Sequence, residues 1–317
     1  VYKRQATARP AKRQAARFPQ RISQRISQRC SPWRLGCYLG AFPAPLPLTS
    51  SETNPVMTQQ TPTEVETSYL QRKGESKLAY KRLAGRKPGI VFLGGFRSDM
   101  TGTKALALEA HARRGGHAFV RFDYFGHGQS DGDFTEGTIG LWLEDAIAVL
   151  DELTEGPQVL VGSSMGGWLM LLAALARPER VAALIGLAAA PDFTQDLMWD
   201  VFPEDRRRAL MESGQVLEHS EYSEDATPIT LKLIEEGRHH LLLSERIPID
   251  CPVRLLHGMA DPDVPWQTSP RLAKALASSD VEVTLLKDGD HRLSTPRDLD
   301  RLTGTLDSVI ETLSALP

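Results

Sequence analysis

The short segment 162–166 has the residue types of a nucleophilic serine site. Gly162, Ser164 and Gly166 alternate in the sequence GSSMG, the Gly-x-Ser-x-Gly pattern of a serine held in a sharp turn from strand to helix. Side chains at the two glycine positions would collide in such a turn, and the helix N-terminus that follows favours developing negative charge. The pattern predicts that Ser164, rather than its neighbour Ser163, is a nucleophile.

A serine hydroxyl needs a base, and the base needs an acid that orients it. Where this turn occurs, the acid and then the histidine follow the serine along the chain. Asp261 follows an apolar run in LLHGMADPDVPW, and His291 follows the next run in LLKDGDHRL. Asp263 is the rival acid. We expect Ser164, Asp261 and His291 to act together in acyl transfer.

Acyl transfer also needs two backbone N–H groups that stabilise the oxyanion of the tetrahedral intermediate. One is expected from Met165, the residue after the nucleophile. The other is expected from Phe96 in FLGGFRSDM, because two glycines precede it and allow the backbone a close approach. The sequence therefore predicts an oxyanion hole formed by Phe96 and Met165.

These residues require a sheet that brings several strand ends together. Short apolar runs such as GIVFLGG and PQVLVGSS alternate with segments of helical spacing such as TKALALEAHARRGG and GGWLMLLAALARP. Strands that alternate with helices indicate right-handed crossovers and a mostly parallel sheet with helices on both faces. We therefore predict an α/β fold from residue 64 to residue 317.

The alternation stops at Pro191 and resumes after about residue 245. The intervening sequence is polar and has helical spacing in PEDRRRALMES and PITLKLIEEGRHH. We interpret residues 191–245 as a short helical lid, with Met198, Trp199, Val201 and Phe202 as its exposed apolar residues.

The first 63 residues differ in composition from the rest of the chain. Residues 1–50 contain many arginines but no aspartate or glutamate, and RISQRISQR repeats itself. Without apolar periodicity the segment is expected to be disordered. Residues 1–56 are interpreted either as an organelle transit peptide or as upstream sequence translated by mistake before Met57. The cytoplasm is the expected location, or the mitochondrion if the leader is genuine.

The composition of the 317-residue chain excludes several classes of function. A net charge of −3 gives no indication of nucleic-acid binding, and no apolar run reaches the roughly 20 residues of a membrane span. Three scattered cysteines predict neither a disulfide framework nor a zinc site. No histidine pair has metal-ligand spacing with a third ligand, His127 lies in a glycine-flanked loop, and His257 is expected to be a buried structural residue. We expect no metal and no organic cofactor.

The serine turn, the acid loop and the histidine loop together resemble the α/β-hydrolase superfamily from about residue 68 to the C-terminus. Three segments, residues 103–132, 156–186 and 251–266, resemble more narrowly the palmitoyl-protein thioesterases of mitochondria, which also cleave the acyl glucuronide of mycophenolic acid, and their bacterial relatives. The resemblance implies a cofactor-free serine hydrolase of acyl thioesters or esters, S-acylated proteins among them. By motif, its nucleophile, acid and base fall on Ser164, Asp261 and His291.

Two alternatives stay open at this point. A general carboxylesterase or lipase would use the same three residues on small-molecule esters. A non-catalytic binding protein can also share a fold with enzymes, although it would be expected to lack part of the triad. The sequence does not indicate the acyl length or the oligomeric state.

Overall fold

A central sheet of eight strands organises the part of the chain described here. The computed structural model describes residues 65–72, 76–220 and 223–315. The segment expected to be disordered, residues 1–63, lies outside these residues. The strands of the sheet are β1 (Ser68–Gln71), β2 (Lys77–Leu83), β3 (Arg86–Leu93), β4 (His117–Phe122), β5 (Gln158–Ser163), β6 (Val181–Leu187), β9 (Val253–Gly258) and β10 (Val281–Leu286).

The strand order is β1-β2-β4-β3-β5-β6-β9-β10, and all pairs from β4 to β10 are parallel. β1 and β2 extend one edge in antiparallel pairing. The central strand β5 is buried along its whole length, which explains its continuous apolar run, since helices cover both faces of a parallel sheet.

Two helical layers cover the sheet. Helices α1 (Thr103–Gly115) and α7 (Pro296–Ala315) contribute Leu108, Leu302 and Leu306 to the core on one face. The other face packs against α2 (Ile139–Leu153), α3 (Met165–Ala176) and α6 (Thr268–Ala275). Trp142 of α2 and Trp168 of α3 are fully buried in this second layer. Both layers follow the predicted crossover pattern.

The direction in which strands are added reverses beside β3. The chain passes from β3 to β4 on one side, then returns to β5 on the other side of β3. The carboxyl ends of neighbouring strands at such a reversal form a crevice where ligands bind in open α/β sheets. The segments after β3 and β5 that hold Phe96 and Ser164 therefore meet at this crevice.

The insertion between β6 and β9 contains both predicted helices and a hairpin that the sequence analysis missed. Helices α4 (Glu204–Ser213) and α5 (Leu231–Gly237) fall where helical spacing predicts them. Between them, β7 (Gln215–Ser220) and β8 (Ser223–Thr230) pair antiparallel. The prediction of a purely helical insertion is wrong here, because the two short segments form strands only by pairing with each other.

The apolar residues of the insertion are less exposed than expected. Val201 alone among the four is largely exposed, at 67%. Met198, Trp199 and Phe202 are half-buried and pack on a small core made of Leu210, Ile229 and Ile234. Phe96 contacts this small core as well as the main one, so the insertion lies directly over the segment that follows β3.

A buried aspartate ties the start of the insertion to its end. Asp192 adopts a positive φ of 62°, and its two carboxylate oxygens accept the amide N–H groups of Leu242 and Leu243 at 2.8 Å each. Burial raises the pKa of Asp192, although the two amides act against this. The two ends of the insertion are therefore held together where it joins the rest of the fold.

The helices within residues 65–315 that the structure describes are too short or too polar to cross a bilayer.

Candidate active site

Ser164 lies at the turn between β5 and α3 in a backbone conformation that side chains rarely adopt. Its φ is 54° and its ψ is −117°, and such a residue persists only where its surroundings hold it. The amide of Ser164 donates to Leu187 O at 2.9 Å, and its carbonyl accepts Gly167 N at 2.8 Å and Ala190 N at 3.1 Å. β5 and β6 thereby fix the turn.

The two motif glycines have no room for a side chain. A Cβ on Gly162 would lie 2.3 Å from Gly166 O, and a Cβ on Gly166 would lie 2.1 Å from Leu93 O. Both clashes involve backbone, which cannot move aside cheaply. Ser163, by contrast, is buried as the last residue of β5, where it pairs with Leu187. Of the two serines, Ser164 faces the crevice.

The structure brings Ser164, His291 and Asp261 into one hydrogen-bonded chain. His291 Nε2 lies 3.1 Å from Ser164 Oγ, and His291 Nδ1 lies 2.8 Å from Asp261 Oδ2. A carboxylate accepts only, so Nδ1–H donates to Asp261 and leaves Nε2 free to accept the serine proton. This is the arrangement of nucleophile, base and orienting acid.

Asp261, rather than Asp263, is the acid in contact with His291. The side chain of Asp261 is fully buried, and its Oδ1 accepts the amides of Asp263 at 2.9 Å and Val264 at 2.8 Å. Asp263 is exposed and contributes its backbone to this turn. The turn thus buries the carboxylate of Asp261 against His291 and leaves that of Asp263 exposed.

A second histidine also reaches Asp261. His257 is completely buried at the end of β9, as the sequence analysis expects. Its Nε2 lies 3.0 Å from Val264 O and 3.3 Å from Asp261 Oδ2, and its Nδ1 lies 2.7 Å from Ser269 Oγ. The sequence analysis missed its contact with Asp261; the four-residue spacing across a strand end is the signal that could have shown it.

The hydrogen bonds around Asp261 keep it ionised. Burial by itself raises the pKa of this carboxyl, but hydrogen bonds from His257 and His291, together with the amide of Val264, outweigh it and hold the pKa well below its usual range. Asp261, Asp263 and His291 also lie close enough together to hold a cation. Since both oxygens of Asp261 already accept N–H groups, we interpret the cluster as an acid that orients a base.

Phe96 and Met165 lie on the two backbone segments that flank Ser164. Met165 is the first residue of α3, so its N–H has no partner within the helix. A Cβ on Gly95 would point to within 3.5 Å of Ser164 Cβ, which places the Phe96 segment against Ser164. Within the described part of the chain, no acceptor binds the amide of Phe96 or of Met165.

Residues at the end of β4 and on the loop after it hold the Phe96 segment in place, a role that was not predicted from the sequence. Asp123 Oδ1 accepts the amide of Met100 at 2.6 Å, and Arg121 donates to Met100 O at 2.6 Å. Burial raises the pKa of Asp123, opposed by its hydrogen bonds from Gln129 and Met100. The order of strands in the sheet makes β3 and β4 neighbours, and sequence periodicity cannot show that.

Aromatic side chains from the insertion and from the segment before α2 pack around Phe96. The ring of Phe96 lies 5.0 Å from that of Phe134 and 5.7 Å from that of Phe193. Arg238 stacks over Trp199 at 4.8 Å and donates to Gln195 Oε1 at 3.0 Å. Phe96, Phe134 and Phe193 therefore form an apolar wall, which suits an acyl chain.

Sequence comparisons identify a matching protein family and similar individual proteins. The model of the alpha/beta hydrolase family matches residues 90–302. The mouse protein named palmitoyl-protein thioesterase ABHD10, mitochondrial, is 47% identical over 252 residues, which cover 78% of this chain and 84% of the mouse protein. The human protein of the same name is 46% identical over 250 residues, covering 78% of this chain and 81% of the human one.

The fold of this chain is also similar to those of solved structures. The structure of alpha/beta hydrolase domain-containing protein 10 from mouse has a TM-score of 0.74 and 47% identity, and the match covers 78% of this chain and 99% of that one. A structure from Agrobacterium vitis S4 has a TM-score of 0.75 and 42% identity with the same coverage. Est1E from Butyrivibrio proteoclasticus, at 21% identity and a TM-score of 0.65, shares the fold.

Proposed function

The chain belongs to the alpha/beta hydrolase family, and from this premise we propose that it hydrolyses acyl thioesters and esters, S-acylated proteins among them, through an acyl-enzyme on Ser164. The observation that carries the proposal is the continuous chain of hydrogen bonds from Asp261 through His291 to Ser164. Relatives named as palmitoyl-protein thioesterases support a thioester with a long acyl chain as substrate.

Acylation begins when His291 Nε2 takes the proton of Ser164 Oγ as that oxygen bonds to the acyl carbon. The carbonyl oxygen becomes an oxyanion, to which the amides of Phe96 and Met165 donate. The carbon–sulfur or carbon–oxygen bond then breaks, and His291 returns its proton to the leaving thiolate or alkoxide. Each oxyanion donor contributes about 3 kcal/mol to transition-state stabilisation.

Deacylation repeats these steps with water. His291 Nε2 removes a proton from a water molecule whose oxygen bonds to the acyl carbon, the oxyanion forms again in the same place, and the proton on His291 returns to Ser164 Oγ as the acyl–enzyme bond breaks. The buried, ionised Asp261 holds His291 in the tautomer with Nδ1–H and stabilises its imidazolium form.

In this proposal residues 64–317 are the hydrolase domain and residues 191–245 are its lid. The contacts of Phe96 with the small core of the insertion support a lid that excludes water from the oxyanion hole. The apolar wall of Phe96, Phe134 and Phe193 supports an acyl chain, rather than the leaving group, on that side.

The test is a series of matched acyl thioesters and oxygen esters of increasing chain length, with kcat/KM measured for the full chain and for Ser164→Ala. A preference for long-chain thioesters that is lost in the variant is the expected result. A preference for short oxygen esters would support a general carboxylesterase or lipase instead. Absence of turnover on every substrate would overturn the proposal in favour of a binding protein.

The compartment in this proposal depends on residues 1–56. The relatives are named mitochondrial, and an arginine-rich segment without acidic residues suits import. The full chain and a variant that starts at Met57 are fused at the C-terminus to a fluorescent protein and localised. A mitochondrial signal that requires residues 1–56 identifies a leader, whereas a diffuse signal from both proteins identifies the cytoplasm.

A further inference from the structure

His127 is a buried histidine that lies next to the oxyanion segment but outside the hydrogen-bonded chain of Ser164. Its side chain is almost inaccessible, with 4% exposure, yet both ring nitrogens have polar partners. Nδ1 lies 3.1 Å from Phe125 O, and Nε2 lies 3.3 Å from the amide nitrogen of Arg97. Arg97 directly follows Phe96.

These partners determine the tautomer of the ring. A carbonyl oxygen can only accept, so Nδ1 carries the proton and donates it to Phe125 O, which also accepts Trp142 Nε1–H at 3.0 Å. Nε2 is then unprotonated and accepts the N–H of Arg97. Burial lowers the pKa of His127, the hydrogen bond to Phe125 opposes this and the nearby charge of Arg97 adds to it, so that the pKa is about 4. The acceptor on Nε2 is therefore present at neutral pH.

The loop around His127 depends on two glycines in conformations that side chains rarely adopt. Gly126 and Gly128 both have positive φ, 72° and 49°. A Cβ on Gly126 would lie 2.7 Å from the backbone of Phe134, and one on Gly128 would lie 2.2 Å from the carboxylate of Asp123. The loop can follow this course, which brings the imidazole of His127 to the Arg97 amide, only with glycine on either side of the histidine.

The same loop holds the oxyanion segment at two places. His127 accepts the amide of Arg97, which adopts a φ of 60°, and Asp123 accepts the amide of Met100. With the N–H of Arg97 bound to His127, that amide cannot compete for the oxyanion. The preceding amide, on Phe96, has no acceptor among the described residues and lies on the segment that passes against Ser164.

We propose that His127 is a positioning residue of the oxyanion hole, which acts by accepting the Arg97 N–H on Nε2 and so holding the N–H of Phe96 where the oxyanion forms. This inference rests on the proposed function, since it concerns the amide that would stabilise the tetrahedral intermediate.

A role in packing alone makes the opposite prediction. The ring of His127 contacts those of Phe134 at 5.1 Å and Trp142 at 5.2 Å, edge to face. A phenylalanine at position 127 would keep these ring contacts and lose both hydrogen bonds. A glutamine would lose the ring contacts, but its side-chain amide oxygen would lie about where Nε2 lies in histidine and could accept the Arg97 N–H.

The experiment therefore compares His127→Phe with His127→Gln in the full chain, on the best acyl ester or thioester. For His127→Phe we expect kcat to fall about 10²-fold, as for a misplaced oxyanion donor, with KM nearly unchanged. The kcat of His127→Gln is expected to be at least about tenfold higher than that of His127→Phe, because glutamine restores the acceptor.

An alkyl trifluoromethyl ketone, which forms an oxyanion on the nucleophile, should bind His127→Phe more weakly by the same factor as kcat/KM falls. A substrate-like thioether, which forms no oxyanion, should bind both variants like the wild type. If His127→Phe proves unstable, His127→Asn takes its place, since its side chain can reach Phe125 O but not the Arg97 amide.

The inference would be overturned if kcat of His127→Phe equalled that of the wild type, or if kcat of His127→Gln were lower than that of His127→Phe. Either result would leave the proposed function standing, provided that the wild type is active. A wild type that hydrolyses none of the substrates would overturn both.

Discussion

Ser164 Oγ and His291 Nε2 lie 3.1 Å apart, although 127 residues separate them along the chain. The contact exists because both residues follow parallel strands, β5 and β10, whose carboxyl ends reach the same edge of the sheet. Each residue is of little chemical use alone, since the hydroxyl needs a proton acceptor and the imidazole needs a nucleophile to activate.

Residues that act as one unit should not have additive effects. Ser164→Ala and His291→Ala are each expected to lower kcat by roughly 10⁴-fold or more, and the double variant to lose little beyond either one. Steady-state rates on one thioester measure this. Ser163→Ala is the matched control and should stay within about threefold of the wild type. Near-wild-type turnover in either single variant would refute the pairing.

The acids Asp261 and Asp263 should differ sharply when each is changed to asparagine. Asp261→Asn removes the charge that orients His291 and permits the wrong tautomer, so kcat is expected to fall by about 10³- to 10⁴-fold. Asp263→Asn changes an exposed side chain and leaves the backbone turn intact, so kcat should change by less than about threefold. Equal, mild losses would leave His291 without an assigned acid.

The space around each glycine predicts opposite effects on stability for a change to alanine in the serine turn and one in α7. Gly162→Ala forces a Cβ into the backbone of Gly166 and should lower the free energy of unfolding by about 3 kcal/mol or more. Gly304→Ala in α7 meets nothing within 4 Å and should raise it by about 0.5–1 kcal/mol. Urea unfolding measures both, and a Gly162→Ala variant as stable as the wild type would contradict the geometry of the turn.

The pH dependence of stability should reveal the buried, neutral His127. Its pKa is lowered from 6.5 to about 4, first by burial and then by Arg97, so between these pH values the unfolded chain binds a proton that the folded chain does not. The neutral His127 therefore contributes about 3 kcal/mol to the free energy of unfolding above about pH 6.5, and this contribution is lost as the pH falls toward 4. The matched control is His127→Gln, because groups that titrate in both proteins cancel in the difference. Unfolding free energies that run parallel from pH 7 to pH 4 would contradict this.

The sequence was sufficient to predict the sheet and the chain order of the site residues. The apolar runs of β3, β5 and β9 and the helical spacing of α1 and α3 are local signals, and the Gly-x-Ser-x-Gly pattern is local too. They predict the crossover fold, which in turn brings the segments after the strands together.

What the sequence could not predict depends on contacts between distant segments. β7 and β8 have no strong alternation and exist through their mutual pairing. Asp261 and Asp263 both follow β9, and only the turn that Asp261 makes with the amide of Val264 decides which one faces inward. His127 gains its partner from Arg97 on a neighbouring loop, which no spacing rule relates to it.

The most direct test of the account is to locate the acyl-enzyme. The full chain is mixed with a palmitoyl thioester of a short cysteine peptide and quenched in acid within one turnover, and the labelled tryptic peptide is fragmented by mass spectrometry. We predict that the acyl group is found on Ser164, that Ser163→Ala retains it and that Ser164→Ala loses it. An acyl group on Ser163 or Cys251, or turnover by Ser164→Ala, would contradict it.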